Sequence, residues 1–222
     1  MIQRVYEQCK KAKSLNNVIV VTDDQRIYDE VEKFGGHVQM TYENHLNGTS
    51  RCAEYIENYN THPKIDYRYN YAVNIQGDEP FIHPNQIDEL TALFKDKNVS
   101  IATQVKKETD LSLLNHPNIV KAILDENNYV LDFKRIIDDE KSLELINKTG
   151  SFYKHIGIYG FKTNLLLKLV KYAATKNETE NHLEQLRWLD NGYTIKAAIT
   201  EYESISIDTK EDLEKARKSL HL

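Results

Sequence analysis

The chain has 222 residues, a formal net charge of -5, 40% apolar and 28% charged side chains, the profile of a globular protein of one domain with room for a small insert. That balance argues against a general nucleic-acid binder, which needs a clustered basic surface to neutralise phosphates. Cys9 and Cys52 lack the number and spacing of a disulfide framework or a structural zinc site. No apolar run reaches the length of a membrane span and no basic-then-apolar leader opens the chain, so the expectation is a cytoplasmic protein with reduced thiols and no membrane partner.

Taken in order, Ile2, Val5, Tyr6, Cys9 and Ala12 follow helical spacing, so the chain opens inside an amphipathic helix. With no N-cap residue and no strand ahead of it, this reads as a missing beginning. Val18 to Thr22 reads as a strand, the following DDQRIYDEVEKFGG as a helix with acids in its first turn and a Gly35-Gly36 stop, and HVQMT as a second strand. A loop from Tyr42 to Gly48 leads to a helix near Thr49, and the strand Tyr71 to Gln76 runs into Gly77, Asp78, Glu79 and Pro80. A helix from Pro84 and a strand from Val99 to Val105 continue the alternation. Repeated strand and helix predict an α/β fold built on a doubly wound, mostly parallel, Rossmann-like sheet.

After Pro117 the pattern changes. VKAIL and YVLDF flank DENN, which predicts a hairpin and the start of a small antiparallel lobe at about 118-160 within a single domain of 1-222. The polar stretch from Ile136 to Gly150 reads as helix and loop. FYKHIGIYGF reads as a strand whose alternation puts His155, Gly157 and Tyr159 on one face and Ile156 and Ile158 on the other. Helix Thr163 to Tyr172, a polar link, helix Leu183 to Asn191, strands Thr194 to Ala198 and Ser204 to Ile207, and a last helix opened by a capping-box-like Thr209 and Asp212 complete the chain.

Candidate chemistry gathers where strands end, because ligands of open α/β sheets bind beyond the carboxyl ends of the strands. Asp78, held between Gly77 and Pro80, and Asp208, at the end of the last short strand, would together make an Mg2+ site beside a polyphosphate. Each also has an ordinary reading: an acidic turn for Asp78, and for Asp208 a helix-capping acid that stabilises by roughly 1 kcal/mol. HLNGTSR, from His45 to Arg51, offers backbone N-H groups, Thr49 and the Arg51 fork to a nucleotide. KHIGIYGF and HLEQLRWL present polar side chains that also fit a half-buried strand and a surface helix.

Together these stretches resemble the 3-deoxy-manno-octulosonate (KDO) cytidylyltransferases, the CMP-KDO synthetases. The matching pieces are VIVVTDD, HLNGTSR, NIQGDEP, PNIVKAILD, KHIGIYGF, LEQLR and IDTKEDLEKAR, spread over nearly the whole chain. The resemblance implies a nucleotidyltransferase that moves CMP from CTP to KDO or a related 2-keto sugar acid, with Mg2+ as cofactor, no nucleic-acid polymer as partner, and a homodimer. By position it implies that Asp78 and Asp208 hold the metal and carry the catalysis. Gly48, Thr49, Arg51 and Gln76 would lie around the nucleotide, and Arg135, His155, Tyr159, Glu184 and Gln185 around the sugar acid, with Arg135 the partner of its carboxylate. The family also begins with a strand and a basic, Gly- and Pro-containing loop that this sequence lacks, and it carries Ser where Asn47 stands and an acid where Asn181 stands. A shortened paralogue acting as a binding module is the alternative expectation.

Overall fold

The computed structural model describes residues 1-65, 67-203, 206-207 and 209-219. The chain divides into two compact units: residues 1-69, 74-88 and 202-222 form the first, and residues 70-73 and 89-201 the second.

In the first unit, helix α1 (Ile2–Lys10) buries Val5, Tyr6 and Cys9, the positions its apolar spacing selects. Strands β1 (Val20–Thr22) and β2 (Val38–Met40) pair in parallel from Val20 opposite Val38 to Thr22 opposite Met40. They are joined by α2 (Gln25–Lys33), whose N-cap Asp24 accepts a hydrogen bond from the Arg26 amide at 2.8 Å. The Tyr6 and Phe34 rings meet at 5.5 Å, and the Tyr6 hydroxyl accepts from the His37 amide at 3.2 Å. A Cβ on Gly36 would lie 2.5 Å from the Phe34 ring, so the second glycine of the stop serves close packing rather than a left-handed turn. Helices α3 (Gly48–Thr61) and α9 (Lys210–Ser219) complete this unit.

The division passes through strand β3 (Tyr71–Asn74) and helix α4 (Pro84–Ala92). The second unit is built on a six-stranded sheet in the order β6-β5-β7-β4-β8, with β3 also paired to β7. Its strands are β4 (Ile101–Glu108), β5 (Lys121–Leu124), β6 (Val130–Lys134), β7 (Phe152–Lys162) and β8 (Lys196–Thr200). β4 and β8 run parallel, whereas β7 is antiparallel to both β4 and β5, and β5 and β6 form the expected hairpin. The α/β class stands, with a sheet more mixed than the alternation implied. The reason is the length of β7: its 11 residues serve the main sheet and also carry the hairpin, so the antiparallel excursion is part of the same sheet.

The core of this unit centres on Trp188, 1% exposed, with the Tyr159 and Phe161 rings edge-on to it at 4.9 and 5.2 Å. A second cluster, Leu114, Ile137, Ile146 and Phe152, lies under α5 (Glu140–Thr149), which ends on Gly150 at φ 63°. Helix α6 (Thr163–Leu169) follows β7. The polar link then contains a helix that periodicity did not reveal, α7 (Lys176–Asn181), started by a Thr175-Glu178 capping box. That T-x-x-E spacing was its only sequence signal. Helix α8 (Glu184–Asp190) follows directly. The expected strand from Ser204 to Ile207 includes two residues outside the described set.

Candidate active site

The predicted nucleotide residues lie in the first unit. Gly48 and Thr49 begin α3, and Asn47 caps that helix by accepting from the Ser50 amide at 2.9 Å. A Cβ on Gly48 would sit 3.2 Å from the Asn74 side-chain amide, and Asn74 donates to Thr49 Oγ1 at 3.5 Å, so the end of β3 is packed onto the start of α3. The helix N-terminus is thereby held with its backbone N-H groups directed along the axis, where anions are favoured. Arg51 spends part of its fork inside the protein: its guanidinium donates to Asp23 at 2.8 Å, to Thr41 Oγ1 at 2.7 Å and to the Tyr42 carbonyl at 3.3 Å. His45 and Tyr42 are held in turn by Glu54, with His45 Nε2 at 2.5 Å and the Tyr42 amide at 3.0 Å from its carboxylate. The 42-48 loop is thus tied down by side chains of the helix that it enters.

Gln76 and Gly77 are exposed and Asp78 is half-buried, whereas Glu79 is only 6% exposed. Of the two adjacent acids Asp78 is the more exposed, with one of its carboxylate oxygens, Oδ1, buried. The carbonyl of Asp78 accepts from the Ile207 amide at 2.9 Å. Ile207 immediately precedes Asp208 in sequence; Asp208 itself lies outside the described residues. Among the described residues there is no cluster of three or more His, Cys, Asp or Glu side chains suited to a metal. The Asp78 carboxylate is the kind of donor that a hard cation shared with a polyphosphate requires.

The predicted sugar-acid residues lie in the second unit. Between Thr103 and Val105 the β4-β7 register shifts, Thr103 standing opposite Tyr159 and Val105 opposite His155, and Gly157 in the intervening stretch of β7 has φ 84°. This bulge interrupts the expected alternation, yet His155 and Tyr159 still meet, their rings 5.2 Å apart. Thr103 Oγ1 donates to the Ile158 carbonyl at 2.8 Å, so at 2.9 Å from His155 Nε2 it acts as acceptor. The imidazole therefore carries its proton on Nε2 and keeps a lone pair on Nδ1. Burial lowers the His155 pKa to about 3, so the ring is neutral in neutral solution. Thr103 escaped sequence reading because nothing local links it to a histidine 52 positions away.

The Tyr159 hydroxyl is buried without a hydrogen bond of good geometry among the described residues. Its pKa is raised well above the ordinary phenol value, by burial first and then by the Glu184 carboxylate, with the nearby Thr103 hydroxyl opposing the shift only weakly, so it is a neutral O-H donor. A buried hydroxyl in that state costs about 1-3 kcal/mol, which a ligand oxygen would offset. Gln185 is 6% exposed and follows Glu184 at the start of α8. Arg135 is held by backbone: Nε donates to the Asn181 carbonyl at 3.2 Å, and the two terminal nitrogens to Pro117 at 3.2 Å and His182 at 3.3 Å. The remaining N-H groups of its fork suit a carboxylate. Arg187 of LEQLR has a structural place, its Nε and one terminal nitrogen donating to Glu178 at 2.6 and 2.5 Å.

Residues 1-216 match the family model described as cytidylyltransferase. The chain belongs to the cytidylyltransferase family. It is 46% identical over 225 residues to the 3-deoxy-manno-octulosonate cytidylyltransferase of Parabacteroides distasonis, covering 97% of this chain and 86% of that protein. It is 43% identical to the protein of the same name from Thermodesulfovibrio yellowstonii over 232 residues, covering 100% and 88%. Among solved structures, a CMP:2-keto-3-deoxy-manno-octonic acid synthetase complexed with CTP superposes with a TM-score of 0.87 at 28% identity, over 99% of this chain and 87% of that one. A 4-diphosphocytidyl-2C-methyl-D-erythritol synthase from Anaerococcus prevotii shares the fold, with a TM-score of 0.62 at 15% identity. In this cytidylyltransferase no described helix is long and apolar enough to cross a membrane.

Proposed function

We infer that this cytidylyltransferase transfers the cytidylyl group of CTP to KDO, giving CMP-KDO and pyrophosphate for lipopolysaccharide precursor synthesis. The observation that carries the reading is the 46% identity over 97% of the chain to a KDO cytidylyltransferase, joined to a second unit whose neutral His155 and Tyr159 suit a polyhydroxylated ligand. The anomeric hydroxyl oxygen of KDO bonds to the α-phosphorus and gives up its proton, while the bond from that phosphorus to the β-phosphate oxygen breaks and pyrophosphate leaves.

In this reading the residues around the start of α3, Gly48, Thr49 and Arg51, together with Gln76, hold the nucleotide. Arg135 takes the sugar carboxylate; His155 Nδ1 accepts from a sugar hydroxyl, Tyr159 donates to one, and Glu184 and Gln185 orient the rest. Asp78 and Asp208 are the residues that would hold Mg2+, which when bound neutralises charge on the triphosphate. The protein's own contribution is positioning and charge balance, with no covalent intermediate. A homodimer belongs to the same reading, and sedimentation of the purified chain measures it.

The test is pyrophosphate release from CTP, KDO and Mg2+. Turnover is expected with KDO, and Asp78→Asn is expected to lose roughly 100-fold or more in kcat with an unchanged circular dichroism spectrum. A folded chain that releases no pyrophosphate with KDO would overturn the substrate assignment, and release with a different 2-keto sugar acid would move it to that acid. Asp78→Asn turning over at the wild-type rate would remove Asp78 from the site.

A further inference from the structure

Lysine is almost never fully buried without an acidic partner, yet Lys121, the first residue of β5, is 0% exposed. It has no carboxylate among the ion pairs of the described residues. Its three ammonium donors go instead to three backbone carbonyls: His116 at 3.0 Å, Ile119 at 2.9 Å and Arg135 at 2.5 Å. Two of these lie in the loop that enters β5 and the third just past the end of β6, so one buried charge joins two chain segments that the hairpin ladder leaves outside its register.

Arg135 repeats the arrangement one step further on. Its guanidinium spans the carbonyls of Pro117, in the same loop, and of Asn181 and His182, at the end of α7. His182 caps that helix in the left-handed region at φ 52°, a conformation unfavourable for a side-chain-bearing residue and sustained by its surroundings. Leu183 and then Glu184 and Gln185 follow. The connection therefore runs from the Lys121 ammonium, through the backbone and side chain of Arg135, to the turn that sets where α8 begins. The two cations also sense each other: burial first, and the Arg135 charge second, lower the Lys121 pKa.

We propose that Lys121 is a positioning residue for the sugar-acid half of the reaction: its ammonium fixes Arg135 and, through it, the 181-185 segment that presents Glu184 and Gln185 to an anionic sugar. The inference rests on the KDO cytidylyltransferase reading above. Lys121 touches no reacting atom in it. Its function is to keep the carboxylate-binding fork and the hydroxyl-binding side chains in one geometry before the sugar arrives, which lowers the ordering cost of binding.

Lys121→Met preserves the length of the side chain and removes the charge and the donors. Measured with KDO and CTP varied separately, the variant is expected to raise the KM for KDO roughly tenfold or more while the KM for CTP changes less than about twofold. Hydrogen exchange should accelerate in residues 116-119 and 178-186 of the variant and stay unchanged in β4 and β7. Wild-type turnover with a folded Lys121→Met chain whose KM for KDO stays within twofold would overturn the proposal and leave the function standing; absence of wild-type turnover would remove the function itself. If Lys121→Met does not fold, wild-type exchange decides: with KDO and a non-hydrolysable CTP analogue, residues 116-121 and 181-186 are expected to gain protection together. Protection confined to 181-186 would count against the link.

Discussion

A histidine reads in sequence as a candidate acid, base or ligand, but the surroundings of His155 make it a neutral hydrogen-bonding group whose Nε2 faces the Thr103 hydroxyl. The linkage has a definite sign. The ring's pKa is about 3 in the folded chain against about 6.5 when unfolded, so between those values only the unfolded chain binds the proton. Stability contributed by keeping the ring neutral is complete above about pH 6.5 and is lost as the pH falls towards 3. Urea midpoints of the wild type should fall between pH 7 and pH 4.5 more steeply than those of His155→Gln, which keeps a donor for Thr103 without a titrating group. Parallel slopes would show that His155 is reachable by solvent. The same neutrality predicts that the pH profile of turnover has no limb from this residue.

Short elements here depend on what their ends are tied to. Helix α7 has 6 residues and α8 has 7, both too short to persist alone, and the Arg187-Glu178 pair joins them across side chains only 11% and 12% exposed. Arg187 also donates to the Tyr172 carbonyl at 3.1 Å. Arg187→Ala would leave the buried Glu178 carboxylate without its cation, held among the described residues only by the Thr175 amide, so a loss of about 3-5 kcal/mol is expected in chemical denaturation. Arg187→Lys should recover only part of it, because an ammonium cannot reproduce the two-pronged contact. A loss below about 1 kcal/mol for the alanine variant would show that the pair is solvated in solution. The consequence for the site is direct, since α8 carries Glu184 and Gln185 at its start.

Over the whole molecule, the two units are built to different strengths. The first contains a two-stranded sheet of three-residue strands, a size that is marginal without support from helices. The second has a six-stranded sheet around fully buried Ile101, Ile158 and Phe161. Native-state hydrogen exchange should therefore find the amides of β1 and β2 opening at lower free energy than those of β4 and β7. Equal protection across both sheets would indicate that they unfold as one cooperative body.

Much of this was legible in the chain. Helical spacing identified α1, the alternation of strand and helix identified the α/β class, and DENN between two apolar runs identified the β5-β6 hairpin, because each of these patterns is local and repeats with the geometry of the backbone. The conjunction of NIQGDEP, HIGIYG and LEQLR identified the family. Only the tertiary structure decided that the hairpin joins the main sheet through β7, that Glu79 is more deeply buried than Asp78, and that Thr103 faces Nε2 of His155. It also decided that Arg51 and Arg135 serve partly as braces and that Lys121 is buried on three carbonyls. These are pairings between residues far apart in the sequence, and their energies depend on burial and on which donor faces which acceptor, quantities that do not exist until the chain has folded.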